Sequence, residues 1–139
     1  MRGSRGAAIL EFALAWPLVL LVALGAVQLA VWSAEVESAH FAAAAGARVG
    51  SAVGADQATA TQVALAALRP SLVGARAVAW CPGQGSPPGP GVLGVCTTRS
   101  SLGTTVTIAG SVPALVPLVP GAYGLPVWGH TALPLEAFG

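Results

Sequence analysis

The first third of the chain is one apolar run, and the polar positions that interrupt it sit near its two ends. From Ile9 to Trp32 the residues are apolar except for Glu11 close to the start and Gln28 close to the finish. Wound as a helix, this run measures roughly 36 Å, enough to cross a hydrocarbon core of about 30 Å. Arg2 and Arg5 precede it, whereas Glu35 and Glu37 follow it. The positive-inside bias therefore puts Met1 in the cytoplasm and everything after Trp32 on the far side of the membrane. Past the run, Val31, Ala34, Phe41, Ala45 and Val49 recur every three or four residues, so the helix is expected to continue outward with these as its apolar face. Gly50 and Gly54 weaken it. Asp56 is suited to cap a second helix, which Pro70 stops after Leu68 and Arg69.

The pattern then changes period. Ala75 to Trp80 alternates around Arg76, Val78 and Trp80, and Thr104 to Ala109 sets Val106 and Ile108 against Thr105 and Thr107. Both read as half-buried strands. Between them Pro82 to Gly91 is too rich in proline and glycine for regular structure, and Cys81 and Cys96 flank it. A disulfide between these cysteines would close a loop of about sixteen residues, stabilise the domain by roughly 3 kcal/mol, and require the oxidising side of the membrane. Four prolines interrupt the apolar stretch from Pro113 to Pro126, which predicts an extended edge or loop rather than a second span. A last strand is expected from Trp128 to Leu135. Leu115, Val116, Tyr123 and Trp128 are expected to cover the long helix as core, with a contact surface for another subunit as the alternative. The predicted fold is α+β: a long N-terminal transmembrane helix extended into a second helix, then a small antiparallel β-sheet with a disulfide-closed loop.

Composition narrows the function classes. The chain is 55% hydrophobic and 8% charged, and its formal charge is only +1. All six basic residues are arginines scattered along the chain, which gives no basic face for a nucleic-acid backbone. Catalytic candidates are equally sparse: His40, His130, Asp56, Glu35, Glu37, Glu136 and the two cysteines. Glu37 and His40 share an i, i+3 face, yet no second such pair completes a metal site. The chain has no lysine, no Gly-rich phosphate loop, no G-x-S-x-G elbow and no C-x-x-C pair. No enzyme, metal or cofactor is expected.

Three kinds of segment share such an apolar run: a cleaved secretory signal, a plain anchor, and a pilin-type segment cut ahead of it. A secretory signal needs a shorter run and a small-x-small site, and Trp32 stands where a small residue is required before Ala34. A plain anchor has no use for Glu11, because a charge inside the apolar region costs about 2.5 to 3.5 kcal/mol on insertion scales, less near an end. Glu11 either reaches the interface as a carboxylate at the positive helix start, or meets a partner that neutralises it.

Gly6-Ala7-Ala8-Ile9-Leu10-Glu11-Phe12 resembles the processing site of Flp-type prepilins. The resemblance implies cleavage after Gly6 by an inner-membrane prepilin peptidase, leaving a mature chain that begins at Ala7 with its glutamate fifth. The Ala7 amine of one subunit would then pair with the Glu11 carboxylate of its neighbour, offsetting the burial of both charges when helices stack. The match extends through Leu10-Glu11-Phe12-Ala13-Leu14, Pro17-Leu18, Gly25 and the Gly-Ala-Arg segment within residues 42–51, and is similar to the opening of TadE-like proteins, the minor pilins of tight-adherence systems. Gln28 stands where relatives often carry an acid, and Pro17 would supply a kink. What the resemblance implies is a leader over residues 1–6, a transmembrane helix over 7–32, an extracytoplasmic helical segment over 33–69 and a β-rich exported domain over 70–139. The expected partners are the membrane, the prepilin peptidase, other pilin subunits and the assembly machinery. The competing expectation is an uncleaved, membrane-anchored exported binding module.

Overall fold

A computed structural model describes residues 4–68, 71, 73–115 and 124–135. Helix α1 (Ser4–Ser51) spans 48 residues, roughly 72 Å of continuous helix. It stops where Gly54 adopts a left-handed φ of 76° and where the Ser51 hydroxyl donates to the Arg48 carbonyl at 2.9 Å, satisfying an end carbonyl that has no helical partner. Helix α2 (Gln57–Leu68) follows. The Asp56 carboxylate accepts from the Thr59 backbone N–H at 2.7 Å, which is the N-cap expected from the sequence. Pro70, expected to stop this helix, lies outside the described residues.

Strands β1 (Arg76–Ala79), β2 (Val92–Arg99), β3 (Gly103–Pro113) and β4 (Gly124–Pro134) form one sheet in the order β1-β2-β3-β4. The architecture is α+β, as expected, but the sheet is mixed rather than purely antiparallel. β1 runs parallel to β2 with Arg76 opposite Val92, while β2–β3 and β3–β4 are antiparallel. The cause is the Pro- and Gly-rich segment: about a dozen residues between the two strands carry the chain back to its starting end, as a parallel pairing requires. The Cys81–Cys96 disulfide is formed, with Cα atoms 4.6 Å apart, and fastens this crossover to β2.

β2 is a strand that no alternation announced. Leu93, Gly94 and Val95 are all buried, because the crossover folds over the outer face of the sheet. A Cβ on Gly94 would lie 3.0 Å from the Trp80 ring and 3.1 Å from Pro88. A strand covered on both faces loses its polar positions. β4, at the opposite edge, accommodates Pro126 and Pro134 because both sit where the backbone N faces away from β3.

The core lies between the outer half of α1, α2 and the inner sheet face. Ala39, Ala42, Ala43 and Ala47 of α1 are fully buried against Ala64 and Leu68 of α2 and against Leu93, Val95, Val106, Ile108, Val112 and Val127. The helix face that packs is thus the small-residue one, not the face of Val31, Ala34, Phe41, Ala45 and Val49; Phe41 is 66% exposed. Close approach decides this. A Cβ on Gly46 would sit 2.9 Å from the Ala64 Cβ, and one on Gly129 would sit 2.7 Å from the Ala39 backbone, so larger side chains would push α1 off the layers beneath it. Leu115 and Trp128, expected in the core, are 54% and 62% exposed. Trp128 belongs to the outward-facing set of β4, opposite Ala109. Val116 and Tyr123 lie outside the described residues.

Candidate functional site

α1 is divided by what covers it. From residue 9 to residue 27 nearly every side chain is exposed, including Ile9, Phe12, Trp16, Leu20, Leu24 and Val27. At Gln28 the cover begins. This stretch is long and apolar enough to cross a membrane, and only 6% of its most apolar window is buried within the molecule. Its bare length of about 28 Å matches a hydrocarbon core.

Three polar side chains mark the boundary, at helix positions i, i+4 and i+7, which fall on one face. The Gln28 side-chain oxygen accepts from the Leu115 backbone N–H at 2.7 Å. The Trp32 indole N–H donates to the Pro126 carbonyl at 2.9 Å. The Glu35 carboxylate accepts from the Ser71 hydroxyl at 2.9 Å, and that hydroxyl in turn accepts from the Ala75 N–H at 3.1 Å. Gln28 and Glu35 are buried. Gln28 and Trp32 each satisfy a backbone group that the β3–β4 ladder does not use, and Glu35 holds the hydroxyl that takes the Ala75 N–H. Farther along, the His40 ring meets Trp128 edge-on with centroids 5.4 Å apart. His40 therefore turns toward β4, and Glu37, one turn earlier, is exposed.

Sequence reasoning assigned none of these three to domain attachment. Gln28 read as a departure within the span, Trp32 as its end, and Glu35 as a topology marker. The available signal was their shared spacing along one helix face, which a run scored only for hydropathy conceals.

At the N-terminal end, the Gly6–Ala7 bond lies in the first turn of α1. Glu11 is exposed, and the Phe12 and Trp16 rings stack with centroids 5.8 Å apart. α1 continues as helix through Pro17. Glu11, Phe12 and Pro17 thus share one bare stretch of helix, with the Gly6–Ala7 bond one turn ahead of it in the chain, while Cys81 and Cys96 lie in the sheet domain.

Residues 6–48 match the TadE-like protein family. That family is a pilus-associated structural one. The TadE-like segment runs from the Gly6–Ala7 bond through the bare apolar stretch, past all three polar attachments, and ends within the buried alanine face of α1. No curated protein and no solved structure matches the chain.

Proposed function

We propose that the chain is a minor pilin or pseudopilin of a tight-adherence pilus, cleaved between Gly6 and Ala7 and assembled through the bare half of α1. The observation that carries this reading is the division of one continuous helix: apolar and exposed over residues 9–27, and joined to a folded domain from Gln28 onward. Such a helix transmits position directly. A subunit held by its N-terminal half in a bilayer or a helix stack presents its sheet domain at a set orientation, because no flexible linker intervenes.

Glu11 supports the same reading. A carboxylate within an apolar surface is costly in lipid unless neutralised, and a new Ala7 amine on a neighbouring subunit supplies the opposite charge. Pro17 would set the local bend of the helix. The Cys81–Cys96 disulfide favours an oxidising compartment for the domain, in keeping with Arg2 and Arg5 on the cytoplasmic side and the domain outside. The membrane, the prepilin peptidase and other pilin subunits are the partners this requires.

The test is N-terminal sequencing of membrane-extracted protein from cells with and without their prepilin peptidase. The expected mature start is Ala7, dependent on the peptidase. An intact start at Met1 or Arg2 in both strains would overturn the pilin reading and leave an uncleaved anchored module.

A further inference from the structure

The two edges of the sheet are treated differently. At the β4 edge, Pro126 and Pro134 remove donors and the Trp32 indole occupies the Pro126 carbonyl, devices that discourage strand addition. Along β1 itself, from Arg76 to Ala79, nothing comparable is present among the described residues. Arg76 and Trp80 donate their backbone N–H groups to Gly91 and Val95 across the parallel pairing, so Ala77 and Ala79, in the opposite phase, turn N–H and C=O away from β2. Ala75 shares that outward phase, and its N–H is taken by the Ser71 hydroxyl at 3.1 Å. Among the described residues, the edge is closed at Ala75 and open at Ala77 and Ala79.

That open edge faces a cleft. Between α2 and β1 lie two adjoining cavities of about 340 and 410 Å³, both lined by Gln62 and together bounded by Thr61 and Leu65 on the helix and by Ala77 and Ala79 on the strand. Arg76 contributes the one charge among the described lining residues and has no ion-pair partner among them. A strand edge beside a helix, with one unpaired cation, is built to receive extended backbone and a carboxylate.

We propose that this cleft binds an extended peptide segment of a protein partner, added antiparallel to β1 and carrying the pattern apolar-x-acidic. The middle residue exchanges backbone hydrogen bonds with Ala77. Its neighbours then stand opposite Val78 and Arg76 on the outer face, in pairs whose side chains approach most closely. Val78, 40% exposed, takes the apolar residue, and Arg76 takes the carboxylate. The middle side chain points toward Gln62 and Leu65, where a small residue fits. This inference is independent of leader cleavage and of pilus assembly.

The experiment uses the full chain in detergent micelles and a fluorescent, end-blocked peptide Thr-Val-Ala-Glu-Thr read by anisotropy. Saturable binding is expected. Replacing the peptide glutamate by lysine, or Arg76→Glu in the protein, should weaken it about fivefold, and combining the two should restore it. N-methylation of the peptide alanine should weaken binding about tenfold or more by removing a backbone donor, with the protein untouched. Ala77→Pro should do the same without lowering the melting temperature, since its N–H serves no ladder bond. Absence of saturable binding, indifference to N-methylation, or a full-length dimer that Ala77→Pro dissolves would each overturn the proposal, the last because a second copy would then own the edge.

Discussion

Trp32 and Pro126 are 94 residues apart in sequence and are joined by an indole N–H to carbonyl hydrogen bond of 2.9 Å. One belongs to the apolar run that begins the chain and the other to the outermost strand of the sheet, so the bond ties the helix to the edge of the domain at the place where the helix becomes bare. Trp32→Phe keeps much of the ring area and removes the donor. The expected loss is about 1 kcal/mol, or a melting temperature lower by about 4–8 °C for a domain of this size. An unchanged melting temperature by circular dichroism in micelles would show that the bond contributes nothing.

The alanine face of α1 tolerates little added volume. Gly46→Val and Gly129→Val each place a branched side chain where a single Cβ already lies within 2.9 Å of a neighbouring atom. Each is expected to destabilise the domain by about 1–3 kcal/mol. Phe41→Ser, on the exposed side of the same helix, should cost less than about 0.5 kcal/mol. Chemical denaturation of the three variants checks the order, and a Phe41 effect as large as that of Gly46 would contradict the packing.

Cys81→Ala with Cys96→Ala removes the clasp on the crossover. A loop of this length predicts a loss of roughly 3 kcal/mol, concentrated where β1 meets β2. Hydrogen exchange should report faster opening of the Trp80 amide, which bonds the Val95 carbonyl, than of the β3–β4 ladder. Equal protection in both places would show that the bridge does not govern β1.

Asp56 gives the domain an acid-sensitive element. Hydrogen bonds from the Thr59 side chain and backbone, with a smaller contribution from Arg99, hold its carboxyl below the ordinary value of 3.8. A depressed folded pKa means that the capped state is favoured above the ordinary value, and that this advantage is lost as pH falls through the lowered one. Protection of the α2 amides should therefore decline below about pH 4. Asp56→Asn, which caps without titrating, should remove that decline; an identical acid limb in both proteins would assign it elsewhere.

Processing and assembly should separate genetically. Gly6→Leu is expected to block maturation, leaving the full-length chain in the membrane. Glu11→Ala should be cleaved normally and be impaired in assembly, because only the carboxylate that would meet a neighbouring Ala7 amine is lost. Immunoblots of membrane and sheared-pilus fractions distinguish the two, and normal incorporation of Glu11→Ala would refute the charge pairing.

Local chemistry made several elements readable in advance. The apolar run was readable as a long helix, since a stretch of that length in a bilayer must satisfy its backbone internally. The cap at Asp56, the β3 alternation and the Cys81–Cys96 pairing were legible because each depends on neighbours close in sequence or on a single covalent choice. The family resemblance was carried by the residues from Gly6 to Gly25 and the Gly-Ala-Arg segment, each a short stretch whose signal lies in consecutive or near residues.

Other features arose only in three dimensions. The helix face that packs is chosen by how near α1 lies to α2 and β4, so alanine and glycine win over Phe41, against any ranking by hydrophobicity. β2 shows no alternation because Trp80 and Pro88, brought by the crossover, cover its second face. Its parallel pairing with β1 depends on where that crossover lands. Gln28, Trp32 and Glu35 look like interruptions of a span until Leu115, Pro126 and Ser71 are placed beside them. The sequence by itself determined the helix, its cap and its covalent clasp, because those interactions are local. The packing face, the strand direction and the attachment of helix to domain were decided by the tertiary structure, because each depends on a partner far away in the chain.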